Sequence, residues 1–261
     1  MSGHDDETAR PDDRPSLTGR GRKDLETCEA NLAAAVTPEE RLPALLDLAW
    51  VVRGSDSRRT LLLGEEALAL ARTLEDRGAE ISALLSCNLA RAILGDLARA
   101  LDDCLCAFAL LDEHDDPESL ALAQNARGVI ERSLGNLDRA LDAGLEALRT
   151  IEEIDESRRT ASIEELRGWV HYHLGGVHGD LKDHASALEH FELCFERFQE
   201  LDFRPGEARA LGGLGNVAQA MGDLPRALEY YRRALEVGSS LRLVLGNSRI
   251  LTDLATCFEA T

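Results

Sequence analysis

The chain has 261 residues, of which 48 are acidic and 29 are lysine or arginine, so its formal net charge is −19. This balance argues against a surface that tracks nucleic-acid phosphates or adsorbs to anionic membranes, because both need clustered cations. No apolar run approaches the roughly 18 residues of a membrane-spanning helix. The six cysteines form neither a C-x-x-C pair nor a metal-ligand spacing. We therefore predict a reducing, cytoplasmic location.

The start of the chain divides into a polar tail and a first helix. Residues 1–21 are polar and charged and lack apolar periodicity, so we expect them to be disordered. Residues 22–261 are predicted to form a helical repeat domain, opening with a helix from about Lys23 to Val36. Thr37-Pro38-Glu39-Glu40 then has the form of a capping box with proline at the first helical position, which predicts the start of a second helix.

One short motif recurs along the rest of the chain: Gly-Asp or Gly-Asn, a leucine, two variable residues, alanine and leucine. Clear or degraded copies begin at Ser55, Gly95, Gly135, Lys182 and Gly222, so the spacing is 40 residues except for 47 between the third and fourth. Between the copies, apolar residues recur at intervals of three and four, and no strand-like alternation is found. Each unit is therefore predicted to be a helix pair, in which glycine ends the first helix and Asp or Asn caps the second.

Small and bulky residues recur at fixed distances from these turns, and this pattern resembles the tetratricopeptide repeat. That repeat has small residues at positions 8, 20 and 27, which let helices approach closely, and a bulky residue at position 24. The matching residues, from the fifth unit back to the first, are Gly215, Ala227, Tyr231 and Ala234; Gly175, Ala187, Phe191 and Cys194; Gly128, Ala140, Gly144 and Ala147; Asn88, Ala100, Cys104 and Ala107; and Thr60, Gly64 and Ala67. The resemblance covers residues 38–261. It implies an all-α, right-handed α-solenoid of five antiparallel helix pairs followed by a terminal helix.

The 40-residue period exceeds the roughly 34 residues of the standard repeat. In this respect the chain resembles a long-helix subclass found in bacterial signalling proteins. The resemblance implies a non-catalytic, regulatory module for protein–protein interaction. The alternative is a ligand- or peptide-sensing N-terminal region of a nucleotide cyclase, diguanylate cyclase or histidine kinase whose output domain is absent here. The seven extra residues near Asp155–Arg167 equal about two helical turns, so we expect them to lengthen a helix.

Two other patterns in the sequence resemble cofactor sites. Five histidines lie at positions 171, 173, 178, 184 and 190, and a divalent metal site is one interpretation of them. The favoured interpretation is that they fill ordinary positions of the repeat. Gly213–Ala218 reads G-x-G-x-x-A, but it follows a predicted helix instead of a strand, so we do not expect dinucleotide binding. We predict no cofactor, no metal and, because no convergent catalytic cluster is found, no enzymatic activity.

The remaining candidate site is the concave groove. In the tetratricopeptide family, positions 2, 5, 9, 12 and 13 of each first helix line this groove. The residues that the resemblance assigns to partner binding are Asn125, Arg132, Trp169, Tyr172, Arg209, Asn216, Gln219 and Arg249. Amides can hold a peptide backbone, arginine can bind a carboxylate, and aromatic side chains are favoured anchors. Because the arginines are an exception on a chain of charge −19, we predict a protein or peptide partner that carries acidic residues.

Alternatives to this assignment remain open. Trp169 and Tyr172 can instead pack against the extended helix before them. In the first two units the groove positions are apolar, and these side chains either give the groove an apolar end or cover a neighbouring helix. They are Leu42, Leu45, Leu85, Leu89 and Ile93.

The last predicted helix, about Ser248 to Ala260, has Leu251, Leu254 and Phe258 at packing positions and no second helix to cover them. Two explanations are open. Either the native chain is longer than 261 residues, or a second copy covers this edge in a homodimer through the C-terminal helix.

Overall fold

The computed structural model describes residues 24–112 and 116–239. Within these ranges it contains α-helices, one short 3-10 turn and no strand. The helices are α1 (Leu25–Ala34), α2 (Pro38–Val52), α3 (Ser57–Thr73), α4 (Arg77–Leu94), α5 (Leu97–Leu111), α6 (Pro117–Ser133), α7 (Leu137–Glu153), α8 (Ala161–Asp180), α9 (His184–Glu200), α10 (Arg204–Ala220) and α11 (Leu224–Ser239). The segment 1–21, the expected terminal helix and Arg249 lie outside the described residues.

The helices form the predicted right-handed α-solenoid of antiparallel pairs. The five pairs are α2–α3, α4–α5, α6–α7, α8–α9 and α10–α11, and α1 packs against α2. Consecutive first helices, α2, α4, α6, α8 and α10, also contact one another, whereas no such contact joins consecutive second helices of the described chain. The first helices therefore form the inner, concave layer. None of the described helices combines the length with the apolar composition that a membrane-spanning segment needs.

The backbone of the recurring turn has the geometry expected from its sequence, but the side chain of Asn136 does not cap α7 and donates to Glu131 instead. Gly95, Gly135 and Gly222 have φ angles of 85°, 81° and 81°, the left-handed conformation that ends a helix. In the degraded fourth copy Lys182 takes the same place with φ 65°. Its neighbour Asp183 caps α9 by accepting a hydrogen bond from the Ser186 amide at 3.2 Å.

The capping box at the start of α2 is also confirmed. The hydroxyl of Thr37 accepts from the Glu40 amide at 3.3 Å. The Glu40 carboxylate accepts in turn from the amides of Val36, at 2.9 Å, and Thr37, at 3.3 Å. These backbone hydrogen bonds hold the pKa of Glu40 below its ordinary value. The start of the second helix could therefore be located from four residues of sequence.

The expectation of a single longer helix near Asp155–Arg167 was wrong in part. α7 ends at Glu153, a 3-10 turn spans Glu156–Arg158, and α8 begins at Ala161. Arg159 explains the break, because its guanidinium donates to the carbonyls of Ile154 at 3.0 Å and Glu152 at 2.9 Å. These carbonyls at the end of α7 would otherwise lack partners. Part of the insertion does lengthen a helix, since α8 has 20 residues against 17 in α6 and α10.

The packing positions inferred from the repeat are buried where they were expected. Ala140 and Ala227 are 2% and 0% exposed. A Cβ added at Gly215 would lie 2.5 Å from the ring of Tyr231, and one at Gly175 would lie 3.0 Å from the ring of Phe191. Glycine at position 8 thus makes room for the aromatic residue at position 24 of the same pair.

Candidate functional site

Trp169, near the middle of α8, is the centre of an aromatic cluster. Its ring centroid lies 4.9 Å from that of Phe198, 5.8 Å from Tyr172 and 6.1 Å from Phe203. Tyr172 in turn lies 5.6 Å from Phe191. Trp169 and Tyr172 therefore pack toward α9 and the start of α10. The alternative that they pack on the extended segment before them is not what the structure shows.

The exposed side of Trp169 faces a positive charge. The guanidinium carbon of Arg209, on α10, lies 5.1 Å from the Trp169 ring centroid, which is within the range of a cation–π interaction. Arg209 is solvent-exposed, whereas Trp169 is half-buried. The indole Nε1 of Trp169 donates to Oε1 of Glu165, one turn earlier on α8, at 3.3 Å. A cation, an aromatic ring and a carboxylate thus lie side by side on the inner helices.

Arg53, just after α2, is a groove residue that was missed. Its guanidinium lies 3.8 Å from the ring centroid of Trp50, and Nη1 donates to the Trp50 carbonyl at 2.6 Å. Nη2 donates to Oε1 of Glu165 at 3.4 Å. Burial lowers the pKa of Arg53; Glu165 opposes this effect and Arg209 adds to it. The signal that could have found Arg53 is the repeat register, because it lies 40 residues before Ile93, at the same position of the first unit.

A second polar cluster lies between α6 and α8. His173 Nδ1 is 2.8 Å from Oδ1 of Asn125, and Arg132 Nε donates to Asp180 at 2.7 Å. Burial lowers the pKa of His173 to about 3, and the charges of Arg132 and Arg209 add to this effect. His173 is therefore neutral near pH 7, and its Nδ1 donates to the amide oxygen. A shallow pocket of about 250 Å³ opens here, lined by Val129, Arg132, Ser133, His173 and Asp180.

The two predicted amides of α10 contact a buried tyrosine. The hydroxyl of Tyr231, on α11, lies 2.7 Å from Oδ1 of Asn216 and 2.9 Å from Oε1 of Gln219. Tyr231 is fully buried, so these amides give its hydroxyl the partner that a buried polar group requires. Asn216 and Gln219 therefore stabilise the packing of Tyr231. That they also bind a partner stays a prediction.

The apolar residues of the first two units are mostly unavailable to a ligand. Leu42, Leu45 and Leu85 are 4%, 0% and 5% exposed and belong to the core. Leu89 is half-buried, and Ile93 is 58% exposed. At these positions the interpretation that leucines cover neighbouring helices is the one the structure supports.

Four of the five candidate histidines separate into two groups. His173 belongs to the polar cluster with Asn125, whereas His171, His178 and His190 meet between α8 and α9. His171 and His190 place their Nδ1 atoms 3.0 Å apart, and the rings of His178 and His190 stack at 5.3 Å. Burial lowers the pKa of His171 to about 4, with His190, Arg167 and Arg197 adding to the effect. Over residues 24–112 and 116–239, no group of three or more His, Cys, Asp or Glu side chains is arranged to hold a metal ion.

Comparison with known proteins supports the repeat assignment. Residues 166–239 match the family model described as tetratricopeptide repeat. No curated protein sequence matches the chain.

Three solved structures share the fold. BtubC from P. vanneervenii has a TM-score of 0.59 and 20% identity, over 87% of this chain and 91% of its own. A Rap protein complexed with competence and sporulation factor has a TM-score of 0.62 and 13% identity, over 90% of this chain and 68% of its own. A signal-transduction ATPase (STAND) protein with a tetratricopeptide repeat sensor, from Pyrococcus horikoshii, has a TM-score of 0.62 and 14% identity; 91% of this chain is covered but 37% of that protein.

The matched region coincides with α8–α11, and the described pairs before it repeat the same turn and packing positions. Residues 166–239 are thus identified as tetratricopeptide repeats, and the described chain shares the helix-pair fold of a solved protein that contains such repeats.

Proposed function

We propose that this protein is a non-catalytic, regulatory interaction module whose concave face binds an extended segment or a helix of a partner protein. The observation that carries the proposal is the row of side chains on α8 and α10: exposed Arg209 over half-buried Trp169, beside the carboxylate of Glu165. Aromatic and arginine side chains held by a rigid scaffold are the residue types that dominate protein recognition.

Two further observations support the proposal. Tetratricopeptide-repeat proteins are in general non-catalytic interaction modules, and one structure of this fold was solved as a Rap protein complexed with competence and sporulation factor. The arginines that face the groove, Arg53, Arg132 and Arg209, stand out on a chain of charge −19. We infer that the partner segment carries acidic residues, because a charge-assisted hydrogen bond to arginine is among the stronger polar contacts in proteins.

A matched pair of charge reversals tests this assignment. Arg209 lies over Trp169 on the inner helices, and Arg233 lies over Phe195 on the outer helices, at 5.1 and 5.5 Å. A partner captured by the wild-type protein should be lost with Arg209→Glu and retained with Arg233→Glu, while both melting temperatures stay close to wild type. Capture that survives Arg209→Glu but fails with Arg233→Glu would place the binding surface on the outer helices and reject the proposal.

The second candidate function is a sensing region of a larger signalling protein. It is favoured by one observation, the likeness to a signal-transduction ATPase in which a tetratricopeptide repeat sensor is one part; the present chain covers 37% of that protein. The native mass of the gene product tests it, because a sensor region would be followed by an output domain. A product that ends with the repeat domain would reject this candidate and leave the first.

Cytoplasmic location, absence of a cofactor and a homodimer through the C-terminal helix complete the proposal. The described cysteines are free thiols, which suits a reducing compartment.

A further inference from the structure

One ion pair joins parts of the solenoid that are not neighbours. Arg53 follows the first helix of the first pair, and Glu165 lies on the first helix of the fourth, 112 residues later. Other ion pairs lie within one helix pair, as Arg41 with Glu66 does, or join adjacent pairs, as Arg132 with Asp180 does. Among the described helices, each contacts only helices one or two places along the chain. The Arg53–Glu165 contact therefore spans the concave face, from one side of the groove to the other.

The carboxylate of Glu165 lies where donors converge. It accepts from Nη2 of Arg53 at 3.4 Å and from the indole Nε1 of Trp169 at 3.3 Å. The second arginine, Arg209, lies against the same indole ring at 5.1 Å. The guanidinium of Arg53 and the indole N–H of Trp169 hold the Glu165 carboxylate, and the guanidinium of Arg209 lies against the same indole ring. A side chain of the protein itself thus occupies a position suited to an anion.

The geometry of the Arg53–Glu165 ion pair allows a ligand to replace Glu165. The side chains of Arg53 and Glu165 are each 27% exposed, so water and a ligand can reach both. An ion pair of 3.4 Å between partly exposed groups gains little over hydration, and salt screens it. A carboxylate from an acidic peptide would find the same donors already oriented toward an anion.

We propose that Glu165 is an internal substitute for an acidic side chain of the partner, so that an acidic peptide binds by displacing Glu165 from Arg53 and Trp169. Displacement also releases the link between the first and fourth pairs, which makes the contact an autoinhibitory closure of the groove. This inference rests on the proposed binding of a peptide in the groove and names how that groove is regulated.

The closure is testable without any ligand, because both tryptophans of the chain flank it. Trp50 lies under Arg53, and Trp169 donates to Glu165. Glu165→Gln should shift the tryptophan emission spectrum, and 1 M salt should shift the wild-type spectrum in the same direction. The matched control is Glu164→Gln, since Glu164 pairs with Arg167 and Arg197 instead. Equal spectra for Glu165→Gln and wild type, or equal shifts in both variants, would overturn the closure.

The exchange, the displacement of Glu165 by an acidic peptide, is tested with a fluorescently labelled hexaglutamate peptide, whose binding is measured by fluorescence anisotropy. Glu165→Gln removes the carboxylate that competes with the peptide, so this variant should bind the peptide about tenfold more tightly than wild type. A neighbouring charge shifts a proton-binding equilibrium by a similar factor. Glu164→Gln should bind like wild type. Arg53→Gln should lose binding, whereas Arg58→Gln, at an exposed position of α3, should retain it.

The outcomes separate the two proposals. Equal hexaglutamate affinity in Glu165→Gln and Glu164→Gln, or no binding by any variant, would overturn the exchange even if partner capture depends on Arg209. Glu165→Gln decides this result even if Arg53→Gln does not fold. Tight binding by Glu165→Gln together with partner capture that ignores Arg209 would instead support the exchange and reject the proposed capture of the partner at Arg209.

Discussion

The last two described pairs, α8–α11, and the two before them, α4–α7, build the same backbone with different side chains. In α8–α11, Phe191 and Tyr231 fill the space beside Gly175 and Gly215 of their own pairs. In α4–α7 the equivalent position 24 holds Cys104 and Gly144. A Cβ at Gly144 would lie 2.5 Å from Leu174 of α8, so the next pair supplies the missing volume.

The second pair uses a further device, since the Asn88 side chain donates to the Ala100 carbonyl at 2.7 Å across the pair. The family model matches only residues 166–239, which are the pairs with an aromatic ring at position 24. A recognisable motif thus reflects packing within one pair, whereas the fold requires only the turn and the small residues. Where the ring is absent, hydrogen bonds and the neighbouring pair replace it.

The largest expected effect is at the aromatic position. Tyr231→Ala should lower the free energy of unfolding by about 3–5 kcal/mol, because it empties a fully buried site beside Gly215. Cys104→Ala, at the same position of the second pair, should cost about 1 kcal/mol, because it removes one small group. Urea titration measures both, and equal losses would mean that the two regions do not differ in the way described.

Position 20 should behave alike in both regions. Ala140→Leu in the third pair and Ala227→Leu in the fifth should each cost about 1–3 kcal/mol, because both crossings are fully packed. Ala69→Leu is the control on the exposed face of α3 and should change stability by less than about 0.5 kcal/mol. Neutral results at Ala140 and Ala227 would show that the shared register is wrong.

The turn offers a reciprocal test. Gly222→Ala should cost about 1 kcal/mol, because a Cβ strains the left-handed backbone at φ 81°. Lys182→Gly should raise the free energy of unfolding by less than about 1 kcal/mol. It relieves the same backbone strain, but glycine also increases the conformational entropy of the unfolded chain. Melting temperatures that move in the same direction for both variants would contradict the equivalence of the two turns.

A pH-dependent effect separates the fourth pair from the third, whose helices contain no histidine. Burial lowers the pKa of His171 to about 4 from 6.5. Between these pH values the unfolded chain binds a proton that the folded chain does not, so the free energy of unfolding should fall as the pH drops from 6.5 to 4. His171→Gln should make this decline shallower in urea titrations at several pH values. Identical slopes for the variant and wild type would remove His171 as the cause.

The sequence predicted the pairs, the turns and the buried alanines, because each is encoded within a few residues. The repeat register marks the position of Arg53, but it does not predict the contact of Arg53 with Glu165. Its partner Glu165 is close only because small rotations accumulate over three helix pairs, and no local pattern records that sum. The break before α8 depends on the guanidinium of Arg159, which donates to carbonyls at the end of α7. The periodicity of apolar residues does not show whether α7 ends here or continues into α8. The roles of Asn125, Arg132, Trp169, Tyr172, Arg209, Asn216 and Gln219 in binding stay predictions.

The nearest-neighbour contacts of the described helices also bear on the order in which the chain folds. Each helix meets helices close to it in sequence, so most contacts close short loops and cost little chain entropy. The Arg53–Glu165 contact closes a loop of 112 residues and becomes favourable only when the intervening pairs are in place. Stopped-flow refolding should therefore show helix formation first and the final tryptophan signal last. The fluorescence of the two tryptophans then reports when the superhelix is complete, and not when any one helix pair forms.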